Sequence, residues 1–120
     1  MSAVTTHVLD IAAGRPAAGM RVRLERVAPA AGPEQIAAAT TDDVGRIASL
    51  GPDVIASGTY RLIFDTGGYL ARQRADGSTR TPDAAFFPEV TVTFAVADGR
   101  EHYHVPLLLS PFGYSTYRGS

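Results

Sequence analysis

The 120-residue chain carries 11 basic and 12 acidic residues, a formal net charge of −1, 45% apolar side chains and no cysteine. That length holds one core rather than two. The balanced charge argues against nucleic acid or an anionic membrane as partner, and the lack of cysteine excludes disulfides, thiol nucleophiles and zinc–thiolate sites. Every basic residue is arginine, which removes Schiff-base and lysine-nucleophile chemistry as well. No stretch approaches the ~18 apolar residues of a membrane span. The N-terminal MSAVTTHVLD has neither the basic region nor the apolar core of a secretion signal, so the cytoplasm is the expected compartment.

In chain order, VTTHVLDI (4–11) reads as a strand with Thr5, His7 and Leu9 on one face. After the turn AAGRPAAG (12–19), MRVRLERV (20–27) sets Met20, Val22 and Leu24 against Arg21, Arg23 and Glu25. PEQIAAAT (33–40) is rich in alanine and is read as a strand. DDVG and LGPD then mark turns. TYRLIFD (59–65) alternates Tyr60, Leu62 and Phe64 with Arg61, Ile63 and Asp65. Beyond DTGG, YLARQRA (69–75) is the one helical stretch. EVTVTFAV (89–96) alternates again, with Val90, Val92, Phe94 and Val96 on one side. HYHVPLLLS (102–110) sets Tyr103, Val105, Leu107 and Leu109 against His102, His104 and Pro106. Short strands with such punctuation predict an all-β antiparallel sandwich in a single domain, residues 1–120.

Two hairpins can be put in register. Asp98-Gly99 has the composition of a type I′ turn, which would pair Ala95 with His102 and Thr93 with His104 and place Phe94 beside Tyr103. A turn centred on Ser110-Pro111 would set His104 opposite Tyr117 and Pro106 opposite Ser115, bringing Tyr117 and Ser120 towards His104. Pro106 within a strand points to an edge or to a missing ladder bond.

His102 and His104 lie two apart on a strand and so face the same way. Such a pair, with His7 as third ligand, is the pattern of a zinc site. Against it, no Asp or Glu sits on that face at strand spacing. The plainer reading is of solvated or hydrogen-bonded histidines, and His102, next to a turn, fits it best. Arg46 follows the turn DDVG; it is either solvated or a rigidly held fork for a carbonyl or carboxylate. Tyr117 is either a strand aromatic or a ligand donor. No G-x-S-x-G is present, so hydrolysis would use water directly.

The ending YHVPLLLSPFGYSTYRGS, with YRGS as its most specific mark, resembles the 5-hydroxyisourate hydrolases, the transthyretin-related enzymes of urate breakdown. THVLDIAAGRPAAGMRVRL, GTYRLIFDTGGYL and FFPEVTVTFAVADGREHYHVPLLLSP continue the resemblance over nearly the whole chain. It implies a transthyretin-like sandwich of two four-stranded antiparallel sheets with one short helix, assembled as a homotetramer with sites in channels between subunits. It also implies hydrolysis of 5-hydroxyisourate to 2-oxo-4-hydroxy-4-carboxy-5-ureidoimidazoline, with no metal or organic cofactor. Position by position, the implied catalytic residues are His7 from THVLD, Arg46 after the D-x-G-R turn and His104 from YHVP. Tyr117 and Ser120 of YRGS join His7 and Arg46 in binding substrate, and His102 has no implied role. Where the resemblance calls for ADGR this chain reads DDVGR, with Asp43 one place early. A carrier of transthyretin type is the alternative, and a zinc hydrolase built on His7, His102 and His104 is a further rival.

Overall fold

The alternating runs fold into two sheets that face each other. A computed structural model describes residues 2–28, 30–77 and 85–120. Its elements are β1 (Val4–Asp10), β2 (Arg15–Pro16), β3 (Arg21–Ala28), β4 (Gly32–Thr40), β5 (Arg46–Ile47), β6 (Gly58–Phe64), α1 (Thr66–Asp76), β7 (Val90–Val96), β8 (Tyr103–Ser110) and β9 (Gly113–Thr116). One sheet runs β2-β1-β8-β9, with β5 also paired to β1; the other runs β4-β3-β6-β7. The expected sandwich with one helix is therefore present, and the alanine-rich 33–40 stretch is a strand. One pairing departs from the antiparallel rule: β1 and β8 run parallel, with Thr5 beside His104 and His7 beside Pro106.

The core lies between the sheets. Val4 and Val8 of β1, Val22 and Leu24 of β3, Leu62 and Phe64 of β6, and Leu107 and Leu109 of β8 are all buried. These are the faces that the alternation predicts, because a period of two sends every second side chain to the same side. Helix α1 begins at Asp65, whose carboxylate accepts from the Gly68 amide at 3.0 Å. It ends at Gly77, in the left-handed conformation with φ 67°. The Tyr69 hydroxyl donates to buried Asp10 at 2.7 Å and so ties the helix to the end of β1. Burial, and then that carboxylate, push the Tyr69 phenol well up. No helix among the described residues is long and apolar enough to cross a membrane.

Both hairpin registers differ from expectation. β7 pairs with β6, whereas β8 pairs with β1 and β9, so the 98–101 turn crosses from one sheet to the other. A type I′ turn needs positive φ at both central residues. Among the described residues no non-glycine residue has positive φ, and Gly99 is not among the glycines that do. Gly99 serves instead to admit Ile55: a β-carbon at position 99 would lie 1.4 Å from the Ile55 carbonyl oxygen. Thr93 is therefore not a neighbour of His104, and Phe94 meets Tyr103 across the sandwich, their rings 6.5 Å apart.

At the second turn Ser110 pairs with Gly113 and Leu107 with Thr116, so the loop is Pro111-Phe112. His104 consequently bridges to Gly119, not Tyr117. Serine, proline and glycine at the first, second and fourth positions are the residues that a type I turn prefers. The Ser110 hydroxyl closes this one on the Gly113 carbonyl at 3.0 Å. Pro106 is buried in an interior strand, not at an edge. It falls between the regular β8–β9 ladder and the His104–Gly119 bridge, where the Thr116 hydroxyl reaches its carbonyl at 2.7 Å.

Candidate active site

Three chain segments meet on the outer face of the β1–β8 pair. The parallel register sets Thr5 next to His104, and the antiparallel β1–β5 register sets His7 next to Arg46. Cross-strand partners share a face, so Thr5, His7, Arg46 and His104 form one polar patch on the side away from the core. A cavity of about 160 Å³ opens there, lined by Thr5, Arg46, Ile47, His102, His104 and Ser120.

Arg46 is held by its backbone. The Asp42 carboxylate accepts from the amides of Val44 at 3.0 Å and of Arg46 at 2.8 Å. The carboxylate that shapes DDVGR is thus Asp42 rather than Asp43. Gly45 takes φ 79° and packs on β1, where a β-carbon would come within 2.4 Å of the Val8 carbonyl oxygen. The Val8 amide donates back to the Gly45 carbonyl at 2.8 Å. Among the described residues no carboxylate pairs with the Arg46 guanidinium, so its fork remains available to a ligand.

His7 Nε2 lies 2.9 Å from the Val44 carbonyl. A carbonyl only accepts, so Nε2 carries the proton, and Nδ1 is the acceptor of the neutral ring. His104 contacts the buried Thr5 hydroxyl through Nδ1 at 2.8 Å. Burial holds the His104 imidazole below its usual 6.5, and the charges of His102, Arg46 and His7 add to the effect. The same Thr5 oxygen lies 2.9 Å from His102 Nε2. The two imidazoles stack with centroids 6.3 Å apart.

The tail is clamped onto this assembly. The Gly119 amide donates to the His104 carbonyl at 2.8 Å, and a β-carbon at 119 would come within 2.6 Å of His104 Cδ2. Arg118 lies over the Tyr103 ring, 4.5 Å from its centroid, and donates to the His102 carbonyl at 3.2 Å. Ser120 thereby reaches the cavity.

Of the residues that the sequence singles out, Arg46, His104 and Ser120 share the cavity; His7 does not line it but is the register partner of Arg46. Tyr117 does not join them. It lines a separate, more apolar cavity of about 150 Å³ with Phe94, Tyr103, Val105 and Arg118. Two residues of the patch went unassigned from sequence: Thr5, which only the long-range β1–β8 pairing brings to His104, and His102, which was read as solvated. The zinc arrangement finds no counterpart among the described residues, where no three His, Asp or Glu side chains converge to hold a metal.

The model of the HIUase/Transthyretin family matches residues 4–119. The chain is 47% identical over 121 residues to 5-hydroxyisourate hydrolase 2 of Rhizobium meliloti, covering 98% of this chain and 95% of that one. The solved structure of Klebsiella pneumoniae 5-hydroxyisourate hydrolase superposes with a TM-score of 0.79 at 35% identity, over 100% of both chains. Sea bream transthyretin in complex with thyroxine also gives 0.79, at 32% identity, over 97% of this chain and 93% of that one.

Proposed function

The chain belongs to the HIUase/transthyretin family, and from that premise we propose how its residues divide the hydrolysis of 5-hydroxyisourate. The activity is that of a 5-hydroxyisourate hydrolase, a cyclic-amide hydrolase of urate degradation, as in its curated relatives. Fold alone would leave a carrier open; near-full-length identity to hydrolases favours the enzyme.

His104 is the general base. Its depressed pKa keeps it neutral near pH 7, and Nε2 is the nitrogen that Thr5 leaves free to take a proton from water. The resulting hydroxide adds to the ring amide carbonyl, the C–N bond breaks, and the proton passes to the departing nitrogen. Arg46, which lines the same cavity, meets the oxyanion as it forms. His7 presents Nδ1 to a ureide N–H of the substrate, and Ser120 closes the cavity. No metal or cofactor takes part. Tyr117 is not assigned to the site of its own chain. Phe112, Tyr114 and Tyr117 are exposed on and beside the last hairpin, which suits the homotetramer that belongs to this proposal.

One observation carries the reading: His104, Arg46 and Ser120 line a single cavity. Its test is the decay of 5-hydroxyisourate, freshly made from urate by urate oxidase and followed by ultraviolet absorbance with EDTA present. Acceleration by the wild type that survives EDTA and collapses in His104→Ala supports it. Full activity in His104→Ala, or loss of activity with EDTA, overturns it. Sedimentation velocity reads the tetramer directly.

A further inference from the structure

One hydroxyl between two imidazoles has a consequence for both rings. Thr5 Oγ1 lies 2.8 Å from His104 Nδ1 and 2.9 Å from His102 Nε2. A hydroxyl has a single proton to donate. If it donates to one ring, it accepts from the other, so the tautomer of His104 and that of His102 are linked. For His104 to act as a base at Nε2, its proton must sit on Nδ1 and point at Thr5. Thr5 then donates to His102 Nε2, which must be an unprotonated acceptor. The tautomer of His104 in which the catalytic nitrogen is vacant therefore goes with a His102 that is unprotonated on Nε2.

We propose that Thr5 and His102 are positioning residues that form a proton relay behind His104, with His102 as the terminal acceptor. This rests on the assignment of His104 as base. When His104 Nε2 takes a proton from water, Nδ1–H passes its proton to Thr5 Oγ1, and Thr5 passes its own to His102 Nε2. His104 is left neutral with its proton on Nε2, the form of a general acid. After hydroxide has added to the carbonyl, that proton goes to the departing ring nitrogen as the C–N bond breaks. The relay then runs backwards, from His102 through Thr5 to His104 Nδ1, and the resting state returns with no proton gained or lost.

The surroundings suit the two ends. Thr5 is buried, whereas His102 is exposed, so the proton is delivered to a ring that water can solvate. Arg46 and His7 face His104 from β5 and β1 and disfavour a cation there. Arg118 lies behind His102 on the tail, and Glu101, its ion-pair partner at 3.5 Å, precedes His102 in the chain.

The experiment combines long-range nitrogen–proton NMR of the histidine side chains with kinetics of Thr5→Val, Thr5→Ser and His102→Gln. The wild type is expected to show His104 protonated on Nδ1 and linked titrations of His102 and His104. Thr5→Val should uncouple them and lower kcat about 10- to 100-fold, with KM within about twofold and a displaced pH profile, a loss smaller than that of a whole general base. Thr5→Ser, which keeps the hydroxyl, should restore both. His102→Gln, at an exposed position where folding is not at stake, should also lower kcat and move the profile. A His104 protonated on Nε2 in the wild type, or a Thr5→Val enzyme with unchanged kcat and pH profile, overturns the relay. His104→Gln separates the two readings. If it is active, the general-base assignment falls and the relay with it; if it is dead beside an unaffected Thr5→Val, the relay alone falls.

Discussion

An imidazole serves as a base only while it is neutral, and the surroundings of His104 keep it so. Burial disfavours its charged form, and His102, Arg46 and His7 add repulsion. The acid limb of kcat/KM should therefore have its midpoint below 6.5, the usual histidine value. A midpoint at or above that value would place the titrating group elsewhere. The sign for stability follows from the same shift. The fold prefers neutral His104, so this contribution is present above the unfolded pKa and is lost as pH falls through the folded one. Tm should drop more for the wild type than for His104→Gln over that acid window. Arg46 is a cation near His104 and, in the proposed mechanism, also the oxyanion donor. Arg46→Ala should lower kcat/KM by the equivalent of about 2–4 kcal/mol and move the acid limb upward. An unchanged kcat/KM would remove Arg46 from the chemistry.

Two elements position the residues of the proposed site. The turn before β5 uses Asp42 and Gly45 to aim Arg46, and the tail beyond β9 uses Arg118 and Gly119 to lean on His104. YRGS thus has a physical reading of its own: arginine as clamp, glycine as close neighbour of an imidazole, serine at the cavity. Gly119→Ala would drive a β-carbon into the His104 ring, which cannot bend away as a flexible chain would. Its kcat should fall while Tm stays within a few degrees, because neither Gly119 nor His104 is part of the core. A fully active Gly119→Ala enzyme would mean that the ring yields without leaving Thr5. The tail's own register was misread by two residues because the turn was centred on Ser110-Pro111. Proline's preference for the second turn position was the local signal that would have corrected it.

Across the whole molecule, the site depends on a sandwich that holds β1 and β8 side by side. Leu62, at 0% exposure in the facing sheet, is a fair probe of that frame. Leu62→Ala should cost about 2–5 kcal/mol in denaturant unfolding, with kcat little changed below the transition. A loss under about 1 kcal/mol would mean that the core there relaxes freely. Strands, faces and helix were legible in the sequence because they are written in local periods: two for Leu62 and its neighbours, a glycine-punctuated run for 69–75. His7, Arg46, His104 and Ser120 were reached through the resemblance carried by THVLD, the D-x-G-R turn, YHVP and YRGS. Thr5 and His102 were not, because nothing near Thr5 in the chain says that it lies beside a residue 99 positions away. The Asp98-Gly99 signal misled for the same reason: a turn lies there, but the dipeptide told neither its type nor which sheet the next strand would join. The sequence by itself determined which side chains face the core, since that follows from short spacing, and its resemblance to a family told which chemistry to expect. The tertiary structure alone decided that β1 and β8 run parallel, that one threonine stands between two histidines, and that Tyr117 lies apart from them. Strand pairing across the chain is chosen by burial of the whole core, not by any local stretch.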